Sequence, residues 1–296
     1  MSRRVRVFQV DAFTDRRFCG NPAGVVLDAD TLNEPEMQAL ARELNNGDTI
    51  FLLQPDGSDH DVRARFFTPR REAPFVGHAT LAAHAVLAHL GLPRRVRQKQ
   101  SSGIVTVRTL QDSPPRIAIA QPPPPLGRTL TQSEIDRVTG ALGLQAAQLH
   151  PDCPPRLAGP GSRVLLGLRA PGSLSDIVAD SAQLVALSAE LGAAGYFVFA
   201  LHGDREACWT EARMFCPALG IPEDPVSGNA HAMLAVYLRH YGLIDPGVMR
   251  FRGEQGHFMG RPGHVQVDLQ RDGDTLQSIV IGGTAAIVFA TELDFP

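Results

Sequence analysis

The sequence has little excess of charge of either sign, and this excludes several classes of partner. Its 28 Lys and Arg residues nearly balance 31 Asp and Glu residues, which leaves a formal net charge of −3. No basic cluster is interleaved with aromatic residues, which make up only 6 % of the chain. The densest basic run, from Arg94 to Lys99, is short and follows a predicted helix end, so we interpret it as a solvated surface. We therefore expect neither nucleic acid nor a membrane as a partner.

Cysteine is also scarce, and its spacing matches no metal or redox motif. The four cysteines are Cys19, Cys153, Cys208 and Cys216. They form no CxxC pair and no Cys/His pattern typical of a zinc site. We predict no metal, and a reduced, cytoplasmic enzyme rather than a disulfide-stabilised domain.

Long apolar runs are absent as well. No stretch approaches the roughly 20 residues that a membrane-spanning helix needs. The opening residues, MSRRVRVFQVDAF, alternate as a strand does and lack the apolar centre of a signal peptide. Hydrophobic residues still make up 44 % of the 296 residues, which is ordinary for a globular protein and allows two domains.

Similar segments occur twice in the chain, in the same order. ARFFTP at 64–69 returns as ARMFCP at 212–217, 148 residues later. Upstream, ALARELNNGDTIFLL at 39–53 resembles ALSAELGAAGYFVFA at 186–200, at an offset of 147. Downstream, a third pair of segments begins with a glycine in each copy. A period near half of the chain length indicates a duplicated domain rather than a solenoid, whose repeats are much shorter.

Each copy predicts the same elements in the same order. They are a helix at about 34–45, strands Ile50–Leu53 and Val62–Phe67 and a helix at about 78–90 in the first copy, then strands Tyr196–Leu201 and Glu211–Phe215 and a helix at about 229–241 in the second. Gly91 and Gly242 follow the later helices, as C-terminal caps do. The helix HATLAAHAVLAHL has few polar residues on any face, which predicts that it is buried on all sides.

We therefore predict an α+β fold of two pseudo-symmetric lobes. Each lobe is expected to be a mostly antiparallel sheet or barrel wrapped around a central buried helix. The Pro-rich segment QPPPPLG, residues 121–127, predicts a linker. The lobes are then residues 1–120 with 279–296, and residues 128–278, because counting strands suggests that the last strand returns to the first lobe.

The repeated glycines predict an anion-binding site. Gly77 and Gly228 stand at helix N-termini, where the first backbone N–H groups lack partners and the helix dipole is positive. The alternative is that both are ordinary N-caps of buried helices. Because each follows a proline by three residues, Pro74 and Pro225, we favour two helix starts that face each other and hold one small carboxylate.

Candidate proton carriers adjoin these glycines. His78 is expected to be neutral, because the helix dipole disfavours a cation, and it could shuttle a proton. Alternatively it only caps the helix or packs in the core. Asn229 holds the equivalent place in the second copy. Asp224 could orient His78 or hold the substrate; alternatively it bonds only to its own loop.

Asp48, in LNNGDTIF, lies directly before an apolar strand. A partly desolvated carboxylate there could have a raised pKa and act as a general acid or base. The equivalent residue of the second copy is Gly195, so the repeat does not itself require an acid. The alternative is a turn aspartate that follows Asn-Gly.

Together these segments resemble the phenazine-biosynthesis PhzF-like family, which has the diaminopimelate-epimerase fold. The resemblance runs through VDAFTDRRFCGNPAGVV, ARELNNGDTIF, PFVGHAT, EDPVSGNA, EQGHFMGRPG and IGGTAAIV. It implies two pseudo-symmetric lobes with the active site between them, no metal and no organic cofactor, and a cytoplasmic homodimer.

The resemblance also implies roles for single residues. In PhzF-like isomerases a Glu in the segment that matches LNNGDT moves a proton along a small unsaturated acid. Asp48 stands there and is one methylene shorter, which changes its reach. His78 and Asp224 match the family's His and Asp, whereas Asn229 replaces a common Ser.

The related diaminopimelate epimerases and proline racemases use two opposed cysteines, one before each glycine. Val76 and Ser227 occupy these places. Because valine cannot carry a proton, we do not expect two-thiol racemisation, and we interpret Cys216 as structural.

The sequence therefore predicts a cofactor-independent isomerase that moves a proton by acid/base catalysis on a small carboxylate-bearing metabolite. The expected catalytic residues are Asp48, His78 and Asp224, and the expected substrate-binding residues are Gly77, His78, Gly228 and Asn229. Two alternatives use the same site: a catalytically weak protein that binds a small acid, and a lyase or dehydratase that acts on a hydroxy acid.

Overall fold

The chain folds into two compact units. One is formed by residues 1–121 with 282–296, and the other by residues 122–281. The computed structural model describes residues 3–112, 114–159, 163–202, 209–273 and 275–295. The predicted linker, 121–127, contains the last residue of one strand and the first two residues of the next. Within the described ranges, no helix is both long and apolar enough to cross a membrane.

The two units carry the following elements. The first unit contains β1 (Arg3–Ala12), β2 (Asn21–Leu27), α1 (Glu34–Leu44), β3 (Asp48–Leu53), β4 (Val62–Phe67), β5 (Glu72–Ala73), α2 (Gly77–His89), β6 (Arg95–Gln100), β7 (Gly103–Asp112) and β8 (Pro115–Gln121). The second contains β9 (Leu126–Thr129), α3 (Gln132–Ala141), β10 (Arg156–Ala158), β11 (Arg163–Leu168), α4 (Ser181–Leu191), β12 (Gly195–His202), β13 (Trp209–Cys216), β14 (Ile221–Asp224), α5 (Gly228–His240), β15 (Arg250–Gln255) and β16 (Gly263–Asp272). The last strand, β17 (Thr275–Phe295), starts in the second unit and enters the first at Gly282.

Strand pairing repeats between the units. In the first, β2 lies parallel to β3, β3 antiparallel to β4, β4 parallel to β6 and β6 antiparallel to β7. In the second, β11, β12, β13, β15 and β16 pair in the same directions. The sequence predicted mostly antiparallel sheets, and the two parallel pairs per unit arise because a helical crossover joins each of these strand pairs.

The strands of the first unit close into a barrel. β17 pairs with β1, from Ala285 to Phe295, and also with β8. The closed ring consists of β1, β2, β3, β4, β6, β7, β8 and β17. The predicted α+β fold, with strands wrapped around a helix, is therefore confirmed.

The helix α2 lies inside these strands. Every residue from Ala79 to Val86 is buried, and the helix contacts β1, β2, β3, β7 and β8. Its composition explains this placement, because alanine and leucine on every face leave no side that water would solvate. The caps predicted for α2 and α5 are confirmed, since Gly91 (φ 80°) and Gly242 (φ 62°) follow these helices with left-handed backbone.

A second apolar layer covers the outside of each sheet. In the first unit Met37, Leu40 and Ala41 of α1 pack against residues of β1, β2, β3 and β4. In the second unit α3 and α4 pack together over β11 and β12. The helix α1 begins with a capping box, in which Asn33 and Glu36 each bond the other's backbone N–H.

Burial of His84 in α2 makes the stability of the fold depend on pH. Its Nε2 donates to Oε1 of Gln98 at 2.9 Å, and burial lowers its pKa to about 4. Between pH 4 and 6.5 the unfolded chain therefore binds a proton that the folded chain does not, so stability falls as the pH falls through this window.

We expect His84→Gln, which keeps a donor for Gln98, to reduce this loss. The slope of the unfolding free energy against pH between 6.5 and 4 should decrease by up to about 1.4 kcal/mol per pH unit. Urea unfolding at a series of pH values measures the slope. An unchanged slope in the variant would show that His84 is not held neutral by the fold.

Candidate active site

Asp48 is held by a well-defined turn. After α1, Asn45 adopts the left-handed conformation with φ 50° and caps the helix. The side-chain amides of Asn46 and Gln9 then make two hydrogen bonds to each other, at 2.8 and 2.9 Å. Asp48 follows as the first residue of β3, in parallel register with Ala23. The turn therefore fixes the position at which the Asp48 side chain leaves the backbone.

Only the first unit has room for a side chain at this position. The equivalent residue in the second unit is Gly195. A Cβ atom there would lie 2.7 Å from Sγ of Cys216 and 2.8 Å from the carbonyl oxygen of Phe215. Cys216 thus packs where a carboxylate would otherwise stand, and the acid belongs to one copy of the repeat.

His78, in the first turn of α2, lies next to Asp48. Its Nε2 is 3.8 Å from Oδ2 of Asp48, and both side chains are only 12 % exposed. This separation is too long for a hydrogen bond. Among the described residues, His78 Nε2 has no hydrogen-bond partner, although it is buried. The sequence suggests a contact of His78 with Asp224, whereas its approach to Asp48 is visible only in the structure.

Burial keeps His78 neutral. Removal from water lowers the pKa of its imidazole to about 4. The sequence analysis predicted neutrality from the helix dipole, whereas burial is the cause that the structure gives. A neutral imidazole carries one donor and one acceptor nitrogen, so it can pass a proton in either direction.

The N-terminus of α2 is open to a ligand. Among the described residues, no acceptor bonds the backbone N–H groups of Gly77, His78 or Ala79. The N-cap residue is Val76, whose side chain has no acceptor. Apart from the chain neighbours of Gly77 and the backbone of its own helix, no described heavy atom lies within 4 Å of the place where a Cβ of Gly77 would be. Three donors at the positive end of a buried helix are suited to a carboxylate.

The N-terminus of α5 is partly closed. Ser227 Oγ accepts from the backbone N–H of Ala230 at 3.4 Å, and the Ser227 N–H is bonded to Gln255. The N–H groups of Gly228 and Asn229 remain for a ligand among the described residues. Gly228 is buried and Asn229 is exposed. The two glycine-led helices thus differ in the number of donors they offer.

Asp224 is the last residue of β14 and pairs with Met214 in β13. The equivalent residue in the first unit is Ala73, which pairs with Phe66. The two candidate acids, Asp48 and Asp224, therefore stand at positions that do not correspond in the repeat. That Asp224 acts together with Asp48 and His78 stays a prediction.

The three cysteines of the described residues are buried. Cys153 and Cys216 are 1 % and 3 % exposed, and burial raises the pKa of each thiol to about 12. Cys19 is also buried, and Cys208 lies outside the described residues. Val76 and Ser227 precede the two helix starts, so neither place carries a thiol.

In the described part of the chain, no group of three His, Cys, Asp or Glu side chains is arranged to hold a metal ion.

Comparison with known proteins places relatives along almost the whole chain. A family model described as phenazine biosynthesis-like protein matches residues 10–291. The uncharacterized isomerase YddE of Escherichia coli is 38 % identical over 97 % of this chain and 97 % of its own length. The trans-2,3-dihydro-3-hydroxyanthranilate isomerase of Pseudomonas aeruginosa is 28 % identical over 95 % of this chain and 96 % of its own.

Solved structures show the same fold. A phenazine biosynthesis protein of the PhzF family from Bacillus anthracis superposes with a TM-score of 0.87 and 26 % identity, over 98 % of this chain and 99 % of that one. A hydroxyproline epimerase from Agrobacterium vitis superposes with a TM-score of 0.65 over 99 % of this chain and 93 % of that one. At 13 % identity, the second likeness concerns the fold alone.

The environment of the cysteines predicts their reactivity. We expect Cys153 and Cys216 to resist iodoacetamide at pH 8 in the folded protein, because a thiol with a pKa of about 12 is almost wholly protonated there. Mass spectrometry of peptides measures the labelling, and protein in urea is the control in which both should react. Rapid labelling of either residue in the folded protein would contradict the structural role.

Proposed function

Because this chain belongs to the phenazine biosynthesis-like protein family and is an isomerase of that type, we propose that it moves a proton along a small carboxylate-bearing metabolite by acid/base catalysis, without a cofactor. The observation that carries this proposal is the approach of Asp48 to a neutral His78 at the open N-terminus of α2. A carboxylate, a neutral imidazole and a helix N-terminus lie together in the first unit, and these groups suit a proton acceptor, a proton relay and a carboxylate site.

The substrate carboxylate is proposed to bind at the start of α2. The N–H groups of Gly77, His78 and Ala79 point out of the first helical turn, where the helix dipole favours negative charge. The open space beside Gly77 allows an oxygen atom to approach the backbone closely. This contact would hold the substrate beside Asp48 without a charged side chain.

Asp48 is proposed to carry the proton. Its carboxylate takes a proton from one carbon, the double bond shifts, and Asp48 returns a proton to another carbon, so that the product has the atoms of the substrate. The negative charge that develops in between spreads toward the substrate carboxylate, where the three N–H groups stabilise it. The neutral His78 imidazole would hold or relay a proton at a polar atom of the substrate.

The substrate class follows from the relatives and from the size of the acid. By its name, the Pseudomonas aeruginosa relative acts on trans-2,3-dihydro-3-hydroxyanthranilate. We propose a small unsaturated carboxylic acid of this kind for the present chain. Because Asp48 is shorter than Glu by one methylene, the reacting carbon should lie closer to β3 than a glutamate would require.

Asp224 and Asn229 are proposed to contact the same substrate. The support is their placement at the end of β14 and in the first turn of α5, next to the free N–H groups of Gly228 and Asn229. Asp224 would position the part of the substrate that is remote from Asp48.

Replacement of the proton carrier tests the proposal. In D₂O, the protein should wash solvent deuterium into trans-2,3-dihydro-3-hydroxyanthranilate or into another member of a panel of small unsaturated acids. Asp48→Asn keeps the size of the side chain but removes its basicity, so exchange should fall roughly 10²–10⁴-fold. NMR of the recovered acid measures the deuterium. Exchange that continues unchanged in the variant would remove Asp48 from the mechanism.

Lengthening the same side chain separates an adapted site from a weak one. Asp48→Glu moves the carboxylate by more than 1 Å in a place that is 12 % exposed, so we expect turnover to fall about 10²-fold. A large gain in turnover would instead favour the catalytically weak binding protein as the function.

The backbone N–H of Gly77 can be removed by a substitution that keeps the helix. Val76 has φ −138° and ψ 113°, an extended conformation compatible with a following proline, and the first helical position favours proline. Gly77→Pro therefore removes one donor while keeping the helix start. We expect it to weaken binding of anthranilate, an unreactive small carboxylate, roughly ten- to a hundredfold by calorimetry.

Gly77→Ala is the matched control, because it adds a methyl group in the same open space but keeps the N–H, so it measures the part of the loss that crowding alone causes. It should bind anthranilate more tightly than Gly77→Pro does. Equal binding by the proline and alanine variants would show that this N–H does not contact the carboxylate.

A further inference from the structure

Gln255 joins the two ends of the loop that carries Asp224. It is the last residue of β15, and its side chain is fully buried. Its Oε1 accepts from the backbone N–H of Ser227 at 3.0 Å, and its Nε2 donates to the backbone carbonyl of Asp224 at 2.6 Å. One neutral amide thus satisfies a donor and an acceptor at opposite ends of the segment between β14 and α5.

The residue after Gln255 packs against the same loop. Gly256 has φ 89°, and a Cβ atom there would lie 2.2 Å from the carbonyl oxygen of Arg261 and 2.9 Å from that of Pro225. Arg261 closes the turn by donating its backbone N–H to the carbonyl of Gly256 at 3.0 Å. The motif EQGHFMGRPG, to which the sequence analysis assigned no contact, therefore supports the loop that precedes α5.

The fold repeat alone does not require this arrangement. The equivalent residue in the first unit is Gln100, because β6 and β15 each have six residues and end in Gln. Gln100 donates to Oγ of Ser102 and accepts from Nε2 of Gln98, and it makes no bond to the loop before α2. There the hydroxyl of Ser101 bonds the carbonyl of Pro74, at the surface. The buried bridge occurs in the unit whose loop carries an acid.

We propose that Gln255 is a positioning residue for the reaction: it fixes the backbone of Asp224 and so the direction of its carboxylate. It also occupies the N–H of Ser227, which leaves Gly228 and Asn229 as the donors of α5. This inference rests on the proposed function, in which Asp224 contacts the substrate. Loss of the bridge would remove the acceptor of the partly buried Ser227 N–H and a donor to the Asp224 carbonyl, so the loop would shift.

Gln255→Glu makes the bridge depend on pH. An ionised Glu still accepts from Ser227, but its second oxygen faces the carbonyl of Asp224 and repels it. A protonated Glu has an O–H that can donate to that carbonyl. Because burial and the facing carbonyl both raise the pKa of such a Glu, the bridge should reform as the pH falls toward 6.

We expect kcat of Gln255→Glu to be roughly ten- to a hundredfold below native at pH 8 and to approach the native value as the pH falls. KM should change less than kcat, because the N–H groups of α2 that are proposed to hold the substrate carboxylate are unchanged. Gln255→Met, of similar volume, should stay low at every pH. Gln100→Glu is the control in the first unit and should follow the native profile.

A second measurement does not depend on activity. Amide hydrogen exchange of Ser227 should be at least ten times faster in Gln255→Met than in the native protein, because its acceptor is gone. A native pH profile for Gln255→Glu, or unchanged exchange at Ser227, would overturn the inference. If Asp48→Asn abolishes turnover but the pH profile of Gln255→Glu and the exchange at Ser227 are native-like, only the role of Gln255 is wrong. If Asp48→Asn retains turnover, the proposed function itself is wrong.

Discussion

Each unit depends on the burial of one apolar helix among its strands. In α2 the residues from Ala79 to Val86 are all buried, and only the two ends of the helix are partly exposed. Its first turn therefore emerges beside the start of β3. The same packing leaves the His78 side chain only 12 % exposed, and within the described residues the first three backbone N–H groups of the helix have no acceptor. Burial of the helix thus produces the neutral imidazole, and it lies beside the helix start that we propose as the carboxylate site.

Duplication supplied this scaffold twice, and paired substitutions made the copies different. In the first unit Nε2 of Gln98 donates to Oγ1 of Thr80 in α2 at 3.5 Å. In the second, the corresponding residues are Gly253 and His231, and a Cβ on Gly253 would lie 1.9 Å from the His231 ring. Gly195 likewise makes room for Cys216 where the first unit has its acid. In both contacts of the second unit a glycine makes room for the side chain that faces it, so acids and donors could diverge while the strands stayed in place.

Much of the architecture could be predicted from the sequence, since its signals are local. The glycines that end α2 and α5, and the absence of a polar face in α2, locate the helices to within about one residue. The repeated glycine at the start of α2 and the acid before an apolar strand indicated His78 and Asp48, and the family resemblance implied the same two residues. Their approach could not be predicted, because it depends on how α2 packs against β3, and the two residues are 30 positions apart in the sequence. The bridge by Gln255 was missed for the same reason: its partners lie 28 and 31 residues away.

The central claim is that burial holds His78 neutral beside Asp48, where it can pass a proton. NMR titration of the His78 ring carbon Cε1 and its proton, assigned by comparison with His78→Gln, tests this most directly. The account predicts a pKa of about 4, so that the ring is neutral throughout the range in which Asp48 is to act. A midpoint near the ordinary histidine value of about 6.5 would mean that water reaches the ring, and it would contradict the account.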